Sequence, residues 1–223
     1  MSNLDTVKEK KLKERNRRNA LMASNFIPEP FKGPTAMYSI GVGPLVKSEW
    51  SHWKERYPTM QLSGCEPNPV LYSQLLQKFP GRLLQTAISD KEYIDLYMEP
   101  ESEKTFGRSS IFPAKGLSEN TLTVPCLTLD EFDVEAGSPK DILLWMDIEG
   151  SELIALKSGE KLLKSGRVNT INLEVRDEVR GMEGEWPTAD EIEEYLNSVG
   201  FIKAMDYNNQ KTHWDAIYQR IKK

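Results

Sequence analysis

"DILLWMDIEGSELIALKSG", Asp141 to Gly159, decides how the rest of this chain is read. Ile142 to Met146 is continuously apolar, the pattern of a strand covered by helices on both faces rather than one with a wet side. Three carboxylates, Asp147, Glu149 and Glu152, follow within six positions, and from Ser151 onward the apolar spacing predicts a single helix ending at Gly166. Asp147 and Glu149 stand two apart and share a face if the extended conformation persists. Glu152 falls in the first helical turn, where a carboxylate is stabilised, so its expected role is structural.

The strand-then-helix unit recurs on both sides of this stretch. "AMYSI" (Ala36–Ile40) is a short apolar run followed by the glycine turn "GVGP" and a helix with Val46, Trp50, Trp53 and Tyr57 on one stripe. "MQLSGCE" is a second strand, and Asn68 caps a helix opened by Pro69. "RLLQTAI" and "YIDLYM" read as strands, Glu99–Asn120 as a long irregular loop, and "TLTVPCL" as a strand leading to a helical turn capped at Thr128. "VNTINLEV" is a further strand. The capping box Thr188–Glu191 opens a helix that Gly200 closes, and "FIKAMDY" and "THWDAIYQRI" end the chain as two strands joined by "NNQ". The alternation predicts an α/β fold, a mostly parallel sheet with helices on both faces and an antiparallel strand added by the closing hairpin. Ligands of such sheets bind outside the carboxyl ends of the strands, where Asp147 and Glu149 stand.

The 223 residues, 39% hydrophobic and 28% charged, fit one globular domain with a real core. No apolar run approaches the roughly 20 residues of a membrane span, and the charged N-terminus lacks the apolar stretch of a signal peptide, so a soluble, cytoplasmic protein is expected. Cys65 and Cys126 are the only cysteines and lack metal-type spacing. Residues 1–24 carry seven Lys/Arg against three Asp/Glu, a net +4, which leaves −9 on the remainder of a chain whose total is −5. Residues 1–34 read as a basic helical arm and linker, and 35–223 as the domain. The arm, through residues 7–18, can touch nucleic acid, an acidic surface or a partner, or be simply solvated, and the acidic body argues against a broad phosphate-binding surface.

Chemistry gathers at strand ends. Gly41 and Gly43 in "SIGVGP" let a ligand approach the backbone closely, and Glu66, 23 residues beyond Gly43 at the end of the second strand, can accept both hydroxyl hydrogens of a ribose. Together they favour an adenosine-type cofactor over a plain turn and a solvated acid. Ala87 and Ile88 in "QTAISD" are placed to lie along an adenine edge or to serve as ordinary core. His213 is a candidate general base or a surface residue, and His52 belongs to a helix surface. Asp147, Glu149 and Glu174 have the oxygen ligands a divalent metal takes, although no ligand spacing requires one. The loop Glu99–Asn120, with Phe106, Arg108, Ser109, Ser110 and Phe112, is either an acceptor wall or lid or a mobile surface loop without a role.

Five ordered stretches carry a resemblance: "CEPNP" (65–69), "TAISD" (86–90), "TVPCLTLDEF" (123–132), "MDIEGSELIALKSG" (146–159) and "INLEV" (171–175). Across roughly residues 36–220 the chain resembles the FkbM-type, S-adenosylmethionine-dependent class I methyltransferases, whose pattern DxEGxE is matched by Asp147, Glu149, Gly150 and Glu152. The resemblance implies a Rossmann-like methyltransferase fold with a seven-stranded sheet and antiparallel last strand. It implies methyl transfer from S-adenosylmethionine, usually to oxygen, and the acceptor expected here is a hydroxyl of a sugar, glycolipid or small metabolite. It further implies cofactor contacts at Gly41, Gly43, Glu66, Ala87 and Ile88, to which the neighbouring Ser39, Pro67, Asn68 and Asp147 are added as candidates, while the residues themselves make Asp147, Glu149 and His213 the candidate catalytic set. Asp147 either orients the donor or accepts the acceptor's proton. The chain departs from the family in having Ser39 and Leu45 where an acid and a third glycine are usual, and Trp145 where a lysine is common. Two other readings are RNA methylation using the basic arm and a binding or scaffold protein with a degenerate cofactor site. A nicotinamide dehydrogenase would also use the glycines and Glu66, but needs neither "MDIEGSE" nor the closing hairpin.

Overall fold

A strand is buried along its whole length only when both faces of its sheet are covered, and the apolar runs Ala36–Ile40 and Ile142–Met146 both meet that condition. The structure, a computed structural model, describes residues 33–44, 49–99, 109–113, 121–176, 187–207 and 213–221, without the side chains of Glu49, Arg176 and His213. The basic arm, Leu45 and Val46, Phe106 and Arg108 and the turn "NNQ" lie outside the described residues. Along the chain the elements are β1 (Ala36–Ile40), α1 (Glu49–Arg56), β2 (Gln61–Cys65), α2 (Pro69–Leu75), β3 (Arg82–Leu84), β4 (Ala87–Ile88), β5 (Tyr93–Met98), β6 (Ser109–Ser110) and β7 (Thr121–Leu127). They continue as α3 (Leu129–Glu135), β8 (Ile142–Met146), α4 (Glu152–Lys157), α5 (Glu160–Lys164), β9 (Val168–Arg176), α6 (Ala189–Ser198), β10 (Phe201–Tyr207) and β11 (His213–Arg220).

Seven strands form one sheet in the order β10-β11-β9-β8-β1-β2-β3. Only β11 runs against its neighbours, wedged between β10 and β9. Alternation along each central strand divides the core. Ala36, Tyr38, Ile40, Ile142, Leu144, Met146, Ile171 and Leu173 pack on one face, and Met37, Leu143 and Trp145 join Trp50, Trp53 and Leu62 on the other. The expected caps form. Asn68 Oδ1 accepts from the Val70 and Leu71 N–H groups, and the capping boxes at Thr128–Glu131 and Thr188–Glu191 are complete. No helix among the described residues is long and apolar enough to cross a membrane.

Three expectations are corrected. Glu99–Asn120, expected to be irregular, contains the strand β6, which pairs with β5. "RLLQTAI" is two strands in different sheets: β3 pairs with β2, but at Thr86 the chain turns and β4 pairs with β7. The Thr86 hydroxyl donates within this turn, with the Ala87 and Pro125 carbonyls both in range. The second sheet, β4-β7-β5-β6, stands beside the first. The helix expected from Ser151 to Gly166 breaks at Ser158–Gly159 into α4 and α5. Its break is set by α3. A Cβ on Gly159 would meet the Leu129 side chain at 2.6–2.8 Å, and the Asp130 carboxylate accepts the Leu162 N–H (2.7 Å) and the Lys161 N–H (3.3 Å), capping α5 from outside.

At the opposite end of the sheet from Asp147, Asp133 of α3 is 4% exposed and accepts hydrogen bonds from Tyr38 Oη (2.7 Å), Ser138 Oγ (3.2 Å) and both terminal nitrogens of Arg167, one of which also donates to the Pro139 carbonyl. Burial pushes this carboxyl up, but Arg167 and Tyr38 outweigh it and hold it below the ordinary carboxylate range. Asp133→Ala leaves the guanidinium half-buried without its partner, and is expected to cost about 3 kcal/mol, read from the midpoint of urea unfolding.

Candidate functional site

The carboxyl ends of β1, β2 and β8, with β4, β5 and β6 of the second sheet, surround one cleft. Its floor begins at Gly41. That residue has φ +76, and a Cβ there would collide with the Asp147 carbonyl oxygen and lie 2.8 Å from Ile148 Cγ2. The Asp147 N–H donates to the Ile40 carbonyl (3.1 Å), and the Gly41 and Val42 N–H groups both donate to the Cys65 carbonyl (3.1 Å), so the glycine turn folds down between β8 and β2. Gly43, at φ +64, differs: a Cβ there meets nothing within 4 Å.

Glu66 is buried at 3% exposure and shaped by this turn. Its Oε2 accepts the Gly43 N–H (2.9 Å) and its Oε1 the Asn68 N–H (2.9 Å), which leaves each oxygen a further lone pair toward the cleft. Burial pushes the carboxyl up to about 7, against the pull of the Asn68 and Gly43 amides, and the charge of Asp147 adds to the rise.

At the end of β8 the chain abandons the extended conformation. Glu149 has φ +55 and Gly150 φ +102, so the alternation that would align Asp147 with Glu149 is lost. The tight turn nevertheless brings them together with Glu174, and one carboxylate oxygen from each of the three lies within 4.8 Å of the others. Register explains the third member: Met146 is paired with Leu173, so the residues after each are neighbours across β8 and β9. Glu152 stabilises the turn, its Oε1 accepting the Ile148 N–H (3.1 Å), as befits the structural role expected of it.

Of the residues singled out in the sequence, Gly41, Gly43, Glu66, Pro67, Ala87, Ile88, Asp147 and Glu149 line the cleft. Ser39 and Asn68 do not. Ser39 is buried within β1 opposite Gly64 and Trp145, and Asn68 is buried with its Oδ1 capping α2. Trp145 also stays out of the cleft, packing edge-on against Trp53 at 6.5 Å. His213 opens β11 opposite Arg176, at the same edge of the sheet, and His52 lies on α1 with Nδ1 3.9 Å from Glu55. Ser109 and Ser110, from the loop expected to form a wall, do line it together with Ile111 of the same loop, beside Ile94 and Leu96 of β5, which the sequence did not single out. The alternation of Ile94 and Leu96 with Asp95 and Tyr97 was a usable signal, since it marks a one-sided apolar strand face.

Comparison with known proteins gives the relationship. A family model described as the methyltransferase FkbM domain matches residues 49–203. Among solved structures, the chain is similar to methyltransferase FkbM from Methylobacillus flagellatus KT, with a TM-score of 0.53 and 12% identity over 87% of this chain and 46% of that one. The chain thus spans about half the length of that protein. It is also similar to SAM-bound CalS10, an amino pentose methyltransferase from Micromonospora echinaspora, with a TM-score of 0.50 and 10% identity over 92% of each chain. At such identities the likeness is one of fold. No curated protein matches the chain.

Two outcomes are expected. Gly41→Ala should destabilise the chain by at least about 3 kcal/mol through strain and collision, whereas Gly43→Ala should cost only about 1–2 kcal/mol from its backbone angle, both measured by urea unfolding. The folded chain keeps the Glu66 proton up to about pH 7, while the unfolded chain releases it near the ordinary 4.5. Glu66 therefore contributes stability in full below about pH 4.5, and that contribution is lost as pH rises through about 7. Comparing unfolding midpoints at pH 5 and pH 8 should show a smaller difference in Glu66→Gln than in the unaltered chain.

Proposed function

The chain belongs to the FkbM methyltransferase family, and from that premise we propose that it uses S-adenosylmethionine to methylate a hydroxyl of a small acceptor, in the class of sugars, glycolipids or small metabolites. The observation that carries this reading is Glu66, a buried carboxylate clamped between the Gly43 and Asn68 amides with a free lone pair on each oxygen. That arrangement fits a ribose diol, which needs two acceptors side by side. The open space where a Cβ of Gly43 would stand leaves room for a ligand against the backbone, and Ala87 and Ile88 offer an apolar edge beyond it that suits a purine.

When bound, the cofactor supplies an electrophilic methyl group on a sulfonium. The protein's own part is placement. Glu66 would hold the ribose, and the glycine turn and Asp147, which line the same cleft, would hold the amino-acid end. Ile94, Leu96 and Ile111 exclude water from the opposite wall, so that much of the acceleration comes from holding donor and acceptor in line. Asp147 or Glu149 takes the acceptor's hydroxyl proton as its oxygen is methylated. Among the described residues, those lining the cleft include three acids and neither lysine nor arginine, which favours an uncharged acceptor over RNA.

Calorimetry with S-adenosylhomocysteine tests the reading. The chain should bind it, and Glu66→Ala should weaken binding by about 1–3 kcal/mol by leaving the ribose hydroxyls and two amides unpaired. Affinity should also fall as the pH drops below about 7, where Glu66 takes up its proton. No binding by the folded chain would favour the scaffold reading instead. The convergence of Asp147, Glu149 and Glu174 supports a second reading, in which these three acids would hold a divalent cation that would polarise the acceptor hydroxyl. Methyl transfer abolished by EDTA and restored by magnesium would establish it, and unchanged turnover in EDTA would eliminate it.

A further inference from the structure

The second sheet bridges the two ends of the cleft. It starts at β4, whose Ala87 and Ile88 pair with Cys126 and Leu127 of β7. From β7 it passes to β5 through five antiparallel pairs, and from β5 to β6 through Tyr97–Ser110 and Met98–Ser109. At its far edge Ser110, 2% exposed, donates from Oγ to the carbonyl oxygen of Glu149 (3.0 Å). The same Oγ accepts the Phe112 N–H (3.2 Å), which occupies a lone pair and leaves the single hydroxyl hydrogen for Glu149. The acid turn is thereby held from two sides, by β1 through the bond from Asp147 N–H to Ile40 and by β6 through Ser110. The residue that receives the second bond is non-glycine at φ +55, a conformation that persists where its surroundings impose it.

We propose that Ser110 is a positioning residue: its hydrogen bond ties the second sheet to the Glu149 peptide and so sets the distance between the base end of the cleft and its methyl-transfer end. The inference rests on the cofactor reading given above. Adenosine occupies only the base and ribose end, bounded by Ala87, Ile88 and Glu66. On that reading the homocysteine part of S-adenosylhomocysteine would run on toward Asp147. Loosening the tie therefore affects the longer ligand and spares the shorter one, whereas a purely structural role for Ser110 moves both together.

The test is calorimetric binding of S-adenosylhomocysteine and of adenosine to the full chain and to Ser110→Ala, with thermal unfolding as a check on the fold. Loss of one buried hydrogen bond should weaken S-adenosylhomocysteine about tenfold and leave adenosine within about twofold. Ser110→Cys keeps the volume of the buried site but donates weakly, and should shift the same ratio in the same direction; it carries the test if Ser110→Ala does not fold. Equal weakening of both ligands, or of neither, overturns the proposal while leaving the cofactor reading standing. Failure of the unaltered chain to bind either ligand overturns the cofactor reading and the proposal with it.

Discussion

At Gly41 the ends of β1 and β8 approach more closely than any side chain permits, and the geometry of the cleft follows from that contact. The Asp147 carbonyl occupies the space a Cβ would need, so the glycine turn is pressed against β8 on one side and bonded to the end of β2 on the other. With the turn held there, the Gly43 N–H reaches Glu66, and Asp147 emerges beside the same opening. A bulkier residue would separate three strand ends at once.

The second constraint is electrostatic. Placing the Glu66 carboxylate where water is excluded raises its proton affinity, and the amides of Gly43 and Asn68 offset only part of that cost. The fold carries this disfavoured charge in the cleft, and compensation lies elsewhere, in apolar cores on both faces of the sheet and in the Asp133–Arg167 cluster at its far end. That division agrees with a site that accepts local cost in exchange for a prepared pair of hydrogen-bond acceptors.

Local pattern was informative wherever a residue's neighbours in sequence are also its physical determinants. Asn68, Thr128 and Thr188 cap their helices because the N–H groups they bond lie two or three residues ahead. Pattern failed where the determinant is remote. The helix expected across Ser158–Gly159 is broken by Leu129 and Asp130, some thirty residues earlier, and "RLLQTAI" divides because its second half finds a partner in β7. The walls formed by Ile94, Leu96 and Ile111 depend likewise on which sheet their strands enter.

The sequence by itself determined the class of fold and the chemistry available at its edge: fully apolar strands require cover on both faces, and the DIEG stretch must end such a strand with acids. It also placed Gly41, Gly43 and Glu66 at successive strand ends, because chain order and strand length set that. Tertiary structure alone decided which of these groups meet. Glu174 joins Asp147 through the register of β8 with β9, Glu149 joins through a left-handed turn, and Ser110 reaches that turn across 39 residues of chain. Distances between segments depend on packing and pairing choices made over the whole chain, and no local periodicity encodes them.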